Sequence, residues 1–312
     1  MFRFFLNRFG ATLPTLLGMS FVAFAIVTLA PGDPVQMELR AMGVVPKPED
    51  IAAIKAEYGL DKPFLARYIH WLWRAVQLDF GTSIATGRSV IEEIGLYLPA
   101  TLMLAISSLV GSIVISLFLG ALAIMGNRLT ASLLRAITIL LVSIPSFWLA
   151  LILIHVFILN LGWSRLVGEG DLSDLILPAL TLSLGAGASL GRLVYERVRA
   201  EACEDYVRLA IAKGISPLGI LISHIAPRII GPLVTVWATT LGWMLGGAVI
   251  VESIFGWPGL GQLILQAIGQ RDYPVIQGYL VLMGLVFVTT SLIADLVVVV
   301  ADPQLRRRLH RD

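Results

Sequence analysis

The chain has 312 residues, of which 57% are hydrophobic and 14% charged, with a mean hydropathy of +0.85. A soluble globular domain carries about 25% charged residues, so the apolar excess is more than one core can bury and lipid must act as solvent. The formal net charge of +2 carries little information, and no nucleic-acid partner is expected.

A single cysteine, Cys203, excludes an intramolecular disulfide and a Cys-based zinc pattern. The histidines His70, His155, His224 and His310 form no HExxH pair, and no GxxxxGK[ST] loop is present, so the chain does not hydrolyse ATP by that route.

A membrane-spanning helix needs about 20 mostly apolar residues. The first such stretch runs from near Phe9 to Ala30. It is too long for a signal-peptide core and no small-residue cleavage site is evident, so residues 1–30 read as an N-terminus with a retained first span. Residues 31–98 form a polar segment rich in acids, among them Asp33, Glu38, Glu57, Glu92 and Glu93. Within it, Pro46–Tyr58 reads as a proline-started helix and Phe64–Leu78 as an amphipathic one. Trp71 and Trp73 in the latter suit either the membrane interface or packing on the bundle.

Further spans are expected at about Ala100–Met125, Ile137–Leu161, Leu175–Gly191, Ile229–Val251 and Ile276–Val300. The stretch Leu175–Gly191 is the shortest and is interrupted by Pro178, Gly185, Gly187 and Gly191. Small residues of this kind let helices approach closely. The expected fold is therefore an all-α, polytopic membrane protein with six transmembrane helices. Basic residues gather on one side, at Arg3, Arg8, Arg128, Arg135, Arg192 to Arg228 and Arg306 to Arg311, whereas acids offset the bases on the other. The positive-inside bias places both termini in the cytoplasm, with a basic tail at 301–312.

The inside segment 192–228 is too polar to span and too patterned to be a linker. Asp205–Lys213 reads as a helix stopped by Gly214, because glycine accepts positive φ and lysine complements the helix dipole. Ser216 and Pro217 then read as the N-cap and first turn of a second short helix. Two short helices without catalytic residues point to a docking element for a partner.

At this segment the sequence resembles the cytoplasmic "EAA" motif of binding-protein-dependent importers. Ala210, Gly214 and Pro227 fit its last Ala, its Gly and its Pro, while Arg208 and Leu209 replace its Glu and first Ala. The order Tyr206, Arg208, Ala210, Ala212, Lys213, Gly214 resembles the variant of the nickel/dipeptide/oligopeptide permease branch. Blocks resembling the same branch run along the whole chain: PGDP (31–34), YGLDKP (58–63), FGTS (80–83), LPATL (98–102), SIPSFWLA (143–150), VESIFGWPGLG (251–261), RDYPVIQG (271–278) and DPQLRRR (302–308). The stretch Trp71–Val90 is most similar to nickel permeases, with a dipeptide or oligopeptide importer as the alternative.

The resemblance implies a type I ABC importer fold, with a permease domain over 95–300 in an inner membrane. It implies a coupling loop built on Tyr206, Arg208, Ala210, Lys213, Gly214 and Pro227. The implied partners are a second homologous permease, one or two ATPase subunits and a periplasmic substrate-binding protein. ATP and magnesium are used by the ATPases, and no cofactor is bound by this chain.

A few other residues invite a functional reading. His155 lies midway along the third expected span, where an ionisable group is a functional candidate and imidazole suits nickel. A neutral histidine bonded to a neighbouring helix is the plainer reading, since one ligand makes no nickel site. Asp295, near the inner end of the last span, reads as facing the bundle or the cytoplasmic interface, in a structural or gating salt bridge rather than a proton relay. Glu252, followed by Trp257, Pro258 and Gly259, sits where backbone must leave the helix, which membranes tolerate only in buried or cavity-lining positions. This stretch reads either as part of an outer gate or as re-entrant packing. The methionines show no MxxxM pairing and read as packing. An intramembrane enzyme is the competing class, but Ser189 has only a superficial fit to a protease nucleophile. A structural or signalling protein would leave the pattern around Gly214 unexplained.

Overall fold

The computed structural model describes residues 2–29, 62–125, 128–163 and 171–301. The expected helix Pro46–Tyr58, the PGDP block and the terminal DPQLRRR block lie outside them. The described residues are almost wholly helical. In chain order they form α1 (Phe2–Leu29), α2 (Phe64–Val76), α3 (Val90–Met125), α4 (Arg128–Ser143), α5 (Ser146–Leu153), α6 (Leu172–Ala202), α7 (Asp205–Ala212), α8 (Pro217–Ile220), α9 (Ala226–Gly247), α10 (Val249–Phe255), α11 (Leu260–Gln270) and α12 (Tyr273–Ala301). Wider, π-type turns continue α5 through Ile154–Asn160 and join α8 to α9 through Leu221–Ile225.

Among the described residues, five helical stretches are long and apolar enough to cross a membrane: Thr12–Leu29, Val90–Leu122, Leu172–Ala202, Pro217–Gly246 and Tyr273–Val297. The third expected span, 137–161, is not one helix. It is a pair, Ser132–Ser143 and Ser146–Asn160, bent by 101°. Pro145 explains the break: it lacks an N–H, sits outside the helical region at ψ 140°, and biases Ile144 away from helix. The 16 residues of α4 extend about 24 Å at 1.5 Å per residue, short of a hydrocarbon core of about 30 Å. The pair is thus a broken span or a re-entrant element.

Two other expectations are corrected. The fourth span is not shortened by its glycines: α6 runs unbroken for 31 residues, about 46 Å. It therefore carries Arg192, Arg197 and Arg199 on its own last turns, and segment 192–228 begins as helix rather than as loop. The second short helix is likewise not separate, because Pro217 starts a helical run that continues into the next span.

The chain divides into two compact units. Of the described residues, one unit comprises those within 2–5, 100–258 and 289–301. Its α3 and α6 pack closely: a Cβ on Gly187 would lie 2.8 Å from Ile115, and one on Gly191 would lie 3.1 Å from Leu119. These glycines are helical and serve approach rather than interruption, as small residues do at membrane helix crossings. The other unit comprises residues 6–99 and 259–288. There α2 packs on α1 through edge-on and tilted rings of Phe21, Phe24, Phe64, Tyr68 and Trp71, and the hydroxyls of Ser20 and Tyr68 lie 2.8 Å apart. Trp71 belongs to this packing, whereas Trp73 is 68% exposed. In the same unit the buried carboxylate of Asp272 accepts from the Ser83 hydroxyl and the Ala85 N–H, pinning the FGTS turn beside the start of α12.

Candidate functional site

The segment from Glu201 to Arg228 is built by local rules that can be checked bond by bond. Helix α7 ends with Lys213 as C-cap, and Gly214 follows at φ +78°. The Gly214 N–H bonds to the Ile211 carbonyl at 2.9 Å, and the Ile215 N–H reaches back to Ala210 at 3.2 Å. These two bonds are the glycine-terminated Schellman arrangement, which satisfies carbonyls that a helix end leaves open. Ser216 then caps the next helix, its hydroxyl accepting from the Gly219 N–H at 3.2 Å, with Pro217 in the first turn.

The side chains of this segment have two destinations. Val207 and Ala210 are buried with Leu190, Val194 and Val198 of α6 and with Ile220, Ile225 and Ile229 of the following run. Arg208, Lys213 and Pro227 are exposed, and Arg208 only reaches Asp205 at 3.3 Å. Tyr206 joins the two groups: its hydroxyl donates to Glu201 at 2.7 Å, and the Arg228 guanidinium stands 4.2 Å over its ring. Burial, then the hydrogen bond to the Glu201 carboxylate, push the Tyr206 phenol up to about 12. The result is a turn packed against two long helices, with Arg208 and Lys213 on its exposed side beside Glu204 and Asp205. Glu201 was missed as a site residue by sequence reasoning. Arg228 was noted only as an inward charge, and no local spacing marks its place over Tyr206.

The second constellation surrounds Glu252. Its side chain is fully buried and accepts a 2.8 Å bond from the Thr101 hydroxyl. Helix α10 ends at Gly256, at φ +63°, and the Trp257 N–H returns to the Glu252 carbonyl at 2.9 Å. The Trp257 indole is 1% exposed, and its Nε1–H donates to the Ala100 carbonyl at 2.9 Å. Adjacent residues Ala100 and Thr101 of α3 therefore hold both Trp257 and Glu252. The LPATL block contained both partners, but nothing in its spacing assigned them. Pro258 is half-buried and Gly259 is buried, with extended backbone at φ −109°. The non-helical backbone at 256–259 is thus enclosed in protein, as a membrane requires.

The remaining candidates stand apart from these groups. His155 is exposed on the π-type turn that continues α5. Asp295 is half-buried on α12, five residues beyond Thr290, whose side chain crowds Gly242 of α9. Among the described residues, no three His, Cys, Asp or Glu side chains gather to hold a metal ion.

Comparison with known proteins finds relatives along nearly the whole chain. Residues 112–307 match the family described as binding-protein-dependent transport system inner membrane component, and residues 1–105 match the N-terminal part of such a membrane component. The glutathione transport system permease protein GsiC of Salmonella typhimurium (strain LT2) is 33% identical over 307 residues, covering 98% of this chain and 99% of the relative. GsiC of Escherichia coli (strain K12) is 34% identical with the same coverage. Among solved structures, an inward-facing MetNI methionine ABC transporter superposes with a TM-score of 0.57 at 23% identity, covering 68% of this chain and 97% of that one. That likeness carries the type I importer fold. The chain belongs to the binding-protein-dependent transport system inner membrane components, and is a transmembrane permease subunit of an ABC importer that works in the inner membrane with ATPase and substrate-binding partners.

Proposed function

We propose that this permease passes a small peptide-type solute, and that the turn around Gly214 is where the ATPase grips it. The observation that carries the cargo reading is the near-complete coverage of two glutathione permeases at 33–34% identity. It favours the dipeptide or oligopeptide reading over the nickel reading drawn from the resemblance at Trp71–Val90. The exposed His155 offers nickel a single ligand. A single imidazole discriminates poorly among first-row metals, so selectivity resides in the soluble binding protein.

The coupling reading rests on the geometry of α7 and its turn. Coupling between a remote ATPase and a pore needs a rigid element whose position differs between two states. Helix α7 and Gly214 form such an element, because Val207 and Ala210 bury it against both flanking helices while Arg208 and Lys213 lie exposed on its outer side. A second, homologous permease completes the pathway, and both termini lie in the cytoplasm by the distribution of basic residues. ATP and magnesium act at the ATPases. Glu252, Trp257, Pro258 and Gly259 frame a gate element, and Asp295 has a structural role in the bundle.

Competitive uptake tests the cargo. Proteoliposomes holding the chain with its permease, ATPase and binding-protein partners are to be offered labelled glutathione, a dipeptide, an oligopeptide and nickel with a histidine chelator. ATP-dependent accumulation of a peptide, undiminished by excess nickel chelate, is expected. Accumulation of nickel alone would reverse the assignment.

A further inference from the structure

The bend between α4 and α5 lies beside the middle of α6. Before the bend, Thr138 and Ile139 of α4 line one cavity with Gly191 and Tyr195 of α6. After it, Ala150 of α5 and Ile154 pack with Leu177 and Leu182 of α6. Residues 143–147 therefore fall level with the stretch of α6 between Leu182 and Gly191. That stretch is the middle of a 31-residue helix, about 46 Å long, so it sits within a hydrocarbon core of about 30 Å.

At that depth the chain leaves backbone donors open. The Pro145 carbonyl accepts from the N–H groups of Trp148 at 3.0 Å and Leu149 at 3.1 Å. The N–H groups of Ser146 and Phe147, the first two of α5, meet no acceptor among the described residues, and no side chain caps them. The Ser143 hydroxyl turns back to the Ile139 carbonyl at 2.8 Å. Ser143, Pro145, Ser146 and Phe147 are all exposed. The break after α10 is built the opposite way: the Trp257 N–H closes on the Glu252 carbonyl, and Trp257 is buried. One break satisfies its own backbone inside the protein, and the other turns open donors outward.

A lipid tail accepts no hydrogen bond, and irregular backbone at membrane depth persists only inside protein or beside a water-filled cavity. A dry protein cover would strand each donor at a cost of about 1–3 kcal/mol, whereas water satisfies both. We propose that the bend at Ser143–Phe147 lines the water-filled passage through which the solute crosses. This placement rests on the permease role of the chain and holds for any cargo.

Cysteine accessibility in the reconstituted complex tests this, in a Cys203→Ser background because Cys203 is exposed. Ser143→Cys and Ser146→Cys are small changes at exposed positions, and Thr181→Cys, at a buried one, serves as control. During ATP turnover each is to be treated with a membrane-impermeant methanethiosulfonate and, separately, with a membrane-soluble maleimide. Both bend variants should react with the impermeant reagent about tenfold faster than the control. Modified Ser146→Cys should lose several-fold of its uptake while ATP hydrolysis continues. Reaction with the maleimide alone would put the bend in lipid and overturn the proposal. Reaction with neither reagent would show it covered by a partner subunit, which also overturns it. Rapid reaction with unchanged uptake would place the bend in water outside the passage, with the same consequence.

Discussion

The hydroxyl of Thr101 donates to the carboxylate of Glu252 across 151 residues of chain, at 2.8 Å, with both side chains buried. A buried hydrogen bond contributes about 0.5–1.5 kcal/mol net, and this one is among the interactions that Glu252 makes. Thr101→Val keeps the shape and removes this donor. It should lower the thermal midpoint of the purified chain in detergent, and Glu252→Gln, which keeps an acceptor oxygen, should lower it less. Equal midpoints for Thr101→Val and the natural chain would show that this bond contributes nothing to holding the gate element.

Gly187 tests the packing of α6 on α3. A Cβ there would stand 2.8 Å from both Cβ and Cγ2 of Ile115, closer than real carbon contacts, and a β-branched side chain cannot be drawn aside by rotation at Cβ. Gly187→Val should cost about 1–3 kcal/mol by overpacking. Pairing it with Ile115→Ala should recover much of that loss. Expression and monodispersity of the two variants in detergent would measure this, and a tolerated single Val with no rescue by Ile115→Ala would show that the helices separate freely.

Gly214 offers a different test, because nothing lies within 4 Å of the Cβ it lacks. Space is available, so the expected penalty at φ +78° is conformational, about 1–2 kcal/mol for an ordinary side chain. Gly214→Asn, which tolerates the left-handed region, should transport nearly normally, while Gly214→Val should lose uptake with its spans still inserted. In the reconstituted complex, membrane insertion, ATPase binding, ATP hydrolysis and uptake are to be followed separately. Full uptake with Val would remove the coupling role from this turn.

Tyr206 carries a pH signature. Its phenol is raised from 10.0 to about 12 in the folded chain, chiefly by burial and then by Glu201. Below pH 10 the phenol is protonated in both folded and unfolded chains, and its stabilising contribution is complete. Between the two values the unfolded chain gives up the proton first, so stability falls as pH rises and the contribution is lost beyond about 12. Tyr206→Phe retains the ring under Arg228 and loses the bond to Glu201. Its difference spectrum against the natural chain should lack one phenolate appearing near pH 12, and a missing phenolate near pH 10 would contradict the buried assignment.

The apolar stretches, the helix stop at Gly214 and the cap at Ser216 were all legible in the sequence. Each depends on neighbours within a few residues: span-length hydrophobicity, the φ freedom of glycine and the reach of a serine hydroxyl to a nearby N–H. The uneven distribution of arginines along the chain was legible for the same reason, since it depends on counting charge along the chain. Pro145 was equally visible, but a proline indicates only that a helix can break, and the 101° bend is set by what α5 packs against. Ala150 and Ile154 meet Leu177, Val251 and Phe255 there. The glycines of α6 interrupt an apolar stretch and suit close approach in the sequence alone, whereas only the structure names what they approach, Ile115 and Leu119. The Thr101–Glu252 bond, the Trp257–Ala100 bond and Arg228 over Tyr206 join residues 151, 157 and 22 positions apart. No periodicity encodes such pairings, because they exist only once the helices have packed and excluded other partners.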